Sequence, residues 1–174
     1  NWYVNDESTA SVSVATSLDD LPINNAADIG NPGFVVGNVD AASSLVITEI
    51  MYNPASDEPD WEWIEVFNGS NSTIDFELTP YVLDDAGGGT LAAENLTVGQ
   101  IPAGEVAILF RNGITVDDMA DAWGGDLNYI AVSGWQALNN GGDLIAIWDS
   151  YESYSADSAG EVREDLEAIT SVRA

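Results

Sequence analysis

From Leu45 onward the chain repeats one pattern: a short apolar run, then a cluster of turn residues. Leu45–Tyr52 (LVITEIMY) is rich in β-branched residues and is closed by Pro54, which cannot donate to a strand ladder. Trp61–Phe67 alternates Trp61, Trp63, Glu65 and Phe67 on one face with Glu62, Ile64 and Val66 on the other. Both faces are partly apolar, as a central strand requires. Further strands are expected at Thr73–Phe76, Tyr81–Leu83, Thr90–Leu91, Glu105–Phe110, Tyr129–Val132, Leu144–Trp148 and Ala168–Val172. Asp84–Gly89, Gln100–Gly104 and Asn139–Gly142 are expected as turns, and Ser150–Ser158 as a loop; Glu161–Leu166 fits no single pattern. One short helix is predicted over Asp117–Trp123, with Thr115 and Asp118 in a capping arrangement, Asp117 and Asp118 in the first turn, and Gly124-Gly125 as the stop. Strands at this spacing give an all-β chain folded as a β-sandwich.

Residues 1–44 differ. They are rich in Ser, Ala, Asn and Asp, with alternation at Ser11-Val12-Ser13-Val14-Ala15-Thr16 and Pro and Gly punctuation from Pro22 to Gly37. Short strands are expected at Trp2–Val4, Val12–Thr16 and Phe34–Val36, within an extended N-terminal arm; residues 45–174 form the domain. Because a sandwich has open edges, the arm could add as a strand to a neighbour's sheet, with Trp2, Val4, Val12 and Val14 as anchors. Docking on a second copy would be head-to-tail and would propagate. The alternative is that the arm folds back on its own domain or is the tail of a preceding one.

Charge narrows the partners. The 174 residues carry 30 Asp and Glu against three Arg (Arg111, Arg163, Arg173), for a net charge of −27. Such a surface repels polyanions, which excludes nucleic acid and anionic membrane surfaces as partners. Self-repulsion of this size calls for screening by concentrated salt or by bound Ca²⁺, and so for a saline, secreted or cell-surface setting. No long apolar run or basic leader marks a membrane span or signal peptide, and a chain that starts at Asn1 reads as processed or as a piece of something longer. Without Cys or His, triad hydrolases and thiol or imidazole metal sites fall away, leaving carboxylate chemistry and oxygen-ligated cations.

Five segments in order, VITEIMYNP (Val46–Pro54), WEWIEVFN (Trp61–Asn68), TIDFELTPYVLDD (Thr73–Asp85), IPAGEVAILF (Ile101–Phe110) and ALNNGGDLIAIWDS (Ala137–Ser150), resemble the lamin tail domain. The resemblance covers Leu45–Val172 and implies an immunoglobulin-like β-sandwich of the secreted prokaryotic type, with no catalytic residues. Two departures stand out: Thr79-Pro80-Tyr81 replaces the family's Gly and Trp, and no heptad rod precedes the domain.

Several residues could carry chemistry. Glu49 and Glu65 are a potential acid–base pair, though carboxylates in strands more often bond neighbouring backbone. Calcium is the better candidate: Asp57, Glu58 and Asp60 put three carboxylates in one loop, and Asp117, Asp118 and Asp121 form a second cluster, with Asp6-Glu7, Asp84-Asp85 and Asp126 as lesser ones. The competing account is a solvated acidic surface adapted to salt. Trp61, Trp63, Trp123, Trp135 and Trp148 could stack on sugar rings, but in a small sandwich most such residues are core. Asn68, Asn71 and Asn95 each begin an N-glycosylation pattern. Together these features point to a non-enzymatic, secreted or cell-surface structural or adhesion module that self-associates by strand addition. The alternative is an accessory carbohydrate- or mineral-binding domain of a larger secreted enzyme.

Overall fold

The computed structural model describes residues 45–85, 91–142, 144–157 and 168–173. The arm with Trp2, Val4, Val12 and Val14, the expected strand at Phe34–Val36 and the segment Glu161–Leu166 lie outside the described residues.

Nine strands and two helices follow one another among the described residues: β1 (Val46–Met51), β2 (Trp63–Phe67), β3 (Ile74–Asp75), β4 (Val82–Asp85), β5 (Gln100–Ile101), β6 (Val106–Arg111), α1 (Val116–Trp123), β7 (Tyr129–Val132), β8 (Leu144–Trp148), α2 (Tyr151–Ala156) and β9 (Thr170–Arg173). They build a four-stranded sheet β1-β2-β6-β7, a three-stranded sheet β4-β8-β9 and a small β3-β5 pair. All pairings are antiparallel except β6 with β7, which run parallel and are joined by a crossover through α1. This is the expected all-β sandwich.

Period-two alternation decides what each face buries. Ile64 and Val66 of β2, Ala107 and Leu109 of β6, and Ile130 and Val132 of β7 point inward and meet Leu83, Ile145 and Ile147 of the opposite sheet. The outward residues Trp63, Ile108 and Phe110 are also buried, because Met119, Ala122 and Trp123 of α1 lie over them. Trp63 and Trp123 meet edge-to-face at 5.3 Å. In the second sheet, Val82, Ala146 and Trp148 face outward and are covered by Tyr154 of α2. Each sheet therefore has a helix on its outer face, which explains why β2, β6 and β8 are apolar on both sides.

Several expectations are corrected. A second helix occupies the stretch expected as loop: Ser150 caps it by accepting from the Ser153 N–H at 3.2 Å, and Tyr151 and Tyr154, one turn apart, pack on each other and on the sheet. Apolar content in Ser150–Ser158 is low, but the cap and the i,i+3 tyrosines suffice. Asp84 and Asp85 belong to β4 and are buried, so the chain is strand there instead of turn. Leu91 is not in a strand, and Thr90 falls outside the described residues. The first helix starts at Val116, one residue earlier than expected, behind a complete capping box at Thr115 and Asp118.

Candidate functional site

One buried carboxylate and its partners stand at the start of β2. Glu62 precedes that strand, and alternation aims its side chain inward with Ile64. It is fully buried. Its Oε2 accepts from Trp135 Nε1 at 3.1 Å and from the Leu138 N–H at 3.0 Å, while Oε1 is buried with no hydrogen-bond partner. Burial pushes the carboxyl up to about 7; the Leu138 and Trp135 hydrogen bonds oppose the shift, nearby Glu58 adds to it, and Arg111 opposes it. The side chain thus keeps its proton well above the ordinary carboxylate range, and its two bonds latch the 135–138 segment against the core. Beside it, Trp135, Leu138, Asp84 and Asp85 line a pocket of about 10 Å³, room for roughly one water.

The acidic loop preceding Glu62 is spread out. Asp60 pairs with Arg111 at 3.2 Å, Glu58 accepts from the Asn140 amide at 3.2 Å, and Asp57 is exposed. In α1, Asp118 accepts from the Thr115 N–H at 2.8 Å and from its hydroxyl at 2.6 Å, bonds that hold its carboxyl below the usual range. Asp117 and Asp121 face solvent. Among the described residues, no three Asp or Glu stand where they could hold a metal ion together.

Other polar candidates serve the architecture. Glu49 and Glu65 sit opposite each other in the β1–β2 register, and buried Glu65 accepts from the Thr48 hydroxyl at 2.6 Å. Asp84 accepts from the Tyr154 hydroxyl at 2.6 Å; the same hydroxyl accepts from the Leu91 N–H at 3.0 Å. Asp157 accepts from Trp148 Nε1 at 2.7 Å. Of the five tryptophans weighed as a sugar platform, Trp63, Trp123, Trp135 and Trp148 are buried and only Trp61 is half-exposed. A stacking platform built from them is therefore ruled out.

Two of the three glycosylation patterns are structural as well. Buried Asn68 donates to the Ser72 and Ile101 carbonyls, both at 2.8 Å, and accepts from the Ser70 N–H and hydroxyl, tying the end of β2 to β5. Buried Asn95 accepts from the Leu83 N–H and donates to the Leu83 carbonyl, both at 2.8 Å. Its amide stands in for a neighbouring strand. Only Asn71 is exposed.

That use of Asn95 bears on the sheet edges, which sequence reasoning named only in general. Asn95 closes the outer side of β4, and β9 lies beside β1, with the Ile47 N–H donating to Thr170 Oγ1 at 3.3 Å. On β7 the ladder runs through Asn128, whose carbonyl accepts from Ile108 at 2.8 Å, to Val132, whose carbonyl accepts from Asn112 at 3.3 Å. Backbone groups alternate sides along a strand, so the N–H and C=O groups of Tyr129 and Ala131 point away from β6.

No significant match to a curated protein was found. The family model described as Lamin Tail Domain matches residues 38–164, which include every element from β1 to α2. The match spans well over half of the sequence and agrees with the sandwich of β1–β9, so this chain belongs to the lamin tail domain family, an immunoglobulin-like fold.

Proposed function

We propose that this chain is a non-catalytic extracellular structural module that associates with further copies of itself through its N-terminal segment. The observation that carries the reading is how the polar side chains are used. Six buried polar side chains among the described residues, Glu62, Glu65, Asn68, Asp84, Asn95 and Asp157, each bond a backbone or side-chain group of the fold. The pocket beside Glu62 holds about one water, far below the several hundred Å³ of a substrate site. Membership in a family of immunoglobulin-like modules supports the same reading.

The surface charge sets the conditions. At −27, copies repel one another, and association needs salt concentrated enough to shorten the Debye length to about 3 Å, near 1 M. A saline extracellular or cell-surface setting meets that need. Strand addition suits an Ig-like sandwich, since main-chain hydrogen bonds supply affinity without requiring opposite charge.

The test is light scattering of the full chain and of a chain lacking Asn1–Asp20, across a salt series. The full chain should gain mass with concentration at high salt, and the truncated chain should stay monomeric. Assemblies that survive the truncation would overturn the role given to the arm.

A further inference from the structure

We infer that the acceptor for the donated strand is the outer edge of β7, and that its occupant is the stretch Ser8–Leu18 of a second copy. This rests on the self-association reading above and adds the surface on which it takes place.

The edge is defined by its backbone. Ile130 and Val132 are committed to β6, whereas the N–H and C=O groups of Tyr129 and Ala131 face outward, and no hydrogen bond to them is present among the described residues. The other long edges are occupied or closed: β4 by the Asn95 amide, β1 and β9 by each other's proximity. α1 covers the face of the sheet next to Tyr129 and Ala131 but contributes no ladder bond. A strand laid along β7 would find two residues able to exchange N–H···O=C bonds, spaced at the antiparallel repeat.

Charge selects the occupant. In a chain with 30 carboxylates, Leu127–Gly142 is the longest stretch without a charged residue, 16 residues, and it contains all of β7. Ser8–Leu18, 11 residues, is likewise uncharged and contains the alternating Val12 and Val14. Ile29–Val39 is equally long and uncharged but is interrupted by Gly30, Pro32, Gly33 and Gly37, so Ser8–Leu18 is the alternating segment that can meet β7 without setting carboxylate against carboxylate. Val12 and Val14 then continue the apolar inner face of Ile130 and Val132, with Ser11 and Ser13 on the α1 side. Donor and acceptor are different surfaces of the same chain, so the contact is head-to-tail and open-ended.

The test compares the full chain with its Ala131→Pro variant by sedimentation in 1 M NaCl. Proline removes an outward N–H that β6 does not use, so the fold should keep its circular dichroism while self-association weakens at least tenfold. Should that variant misfold, hydrogen exchange replaces it. A full chain carrying Val12→Asp and Val14→Asp, which cannot donate, is mixed with a synthetic Asn1–Asp20 peptide. The amides of Tyr129 and Ala131 should slow at least tenfold, with those of Ile130 and Val132 unchanged. Undiminished assembly of a folded Ala131→Pro chain, or protection that falls on β1, β4 or β9 instead, would overturn the β7 assignment alone. Slow Tyr129 and Ala131 amides in a wild-type particle of monomer mass would mean that a chain's own arm occupies the edge, and would overturn the second copy as occupant. A wild-type chain that is monomeric at every salt concentration, with those amides fast, would overturn the self-association reading and this inference with it.

Discussion

Replacing Glu62 with glutamine should remove a pH dependence that the buried carboxyl imposes on stability. The unfolded chain holds this proton with the ordinary value of 4.5, and the folded protein holds it up to about 7. A raised folded value means the fold favours the neutral acid: the contribution is fully present below 4.5 and is lost as pH rises through 7. Linkage over that window gives a fall of about 2.5 kcal/mol in unfolding free energy between pH 5 and pH 8, as an upper figure. Glutamine keeps an oxygen for Trp135 Nε1 and the Leu138 N–H but cannot ionise. Its amide nitrogen replaces Oε1, which has no partner, so a cost of about 1–3 kcal/mol applies at every pH. The assay is urea unfolding of both proteins from pH 5 to 8 in 1 M NaCl, where the remaining carboxylates are screened and common to both. The wild-type curve should fall by about 2.5 kcal/mol relative to that of the Glu62→Gln protein as pH rises from 5 to 8, closing or reversing the gap between them. Parallel curves would refute the assignment of a shifted proton to Glu62.

Further outcomes follow from individual contacts. Asn95→Ala removes both bonds to the Leu83 backbone and leaves those groups buried, so it should cost about 2–4 kcal/mol in urea unfolding and produce aggregation through the uncovered β4 edge. Tyr154→Phe strips Asp84 and the Leu91 N–H of a shared hydroxyl and should lower stability by about 1–3 kcal/mol with little change in circular dichroism. Thr115→Ala breaks the capping box and should cost about 1 kcal/mol, read from the same unfolding curves. Raising NaCl should raise the thermal midpoint markedly, while EDTA at fixed ionic strength should leave it unmoved; a drop on chelation would establish a cation site that the spread of Asp57, Glu58 and Asp60 does not provide.

The fold was largely legible because strand alternation is a local signal. Ile64 and Val66 against Trp63 on β2 could be assigned to opposite faces from spacing alone, and the Thr115 cap marked α1 to within a residue. Where the reading failed, a distant partner decided the outcome. Asp84 and Asp85 resemble turn residues until Tyr154, 70 positions away from Asp84, supplies a hydroxyl that makes a buried carboxylate tolerable. Glu62 is one acid among 30 in the sequence, and only its burial under Trp135 and Leu138 sets it apart. Asn68 and Asn95 matched a modification pattern, which is three residues long and carries no information about burial. The signal that could have flagged Asn68 was its place at the end of the second strand motif. For Asn95 the sequence offered none.

The parallel β6–β7 pairing ties the outer edge of the sheet to its covering helix. The chain reaches β7 from β6 through the 112–128 crossover, and α1 within it packs on Trp63 and Phe110 of the same sheet. A change that loosened α1 would therefore displace the edge along with the core behind it, so the surface offered to a neighbour is only as firm as the helix that covers its face.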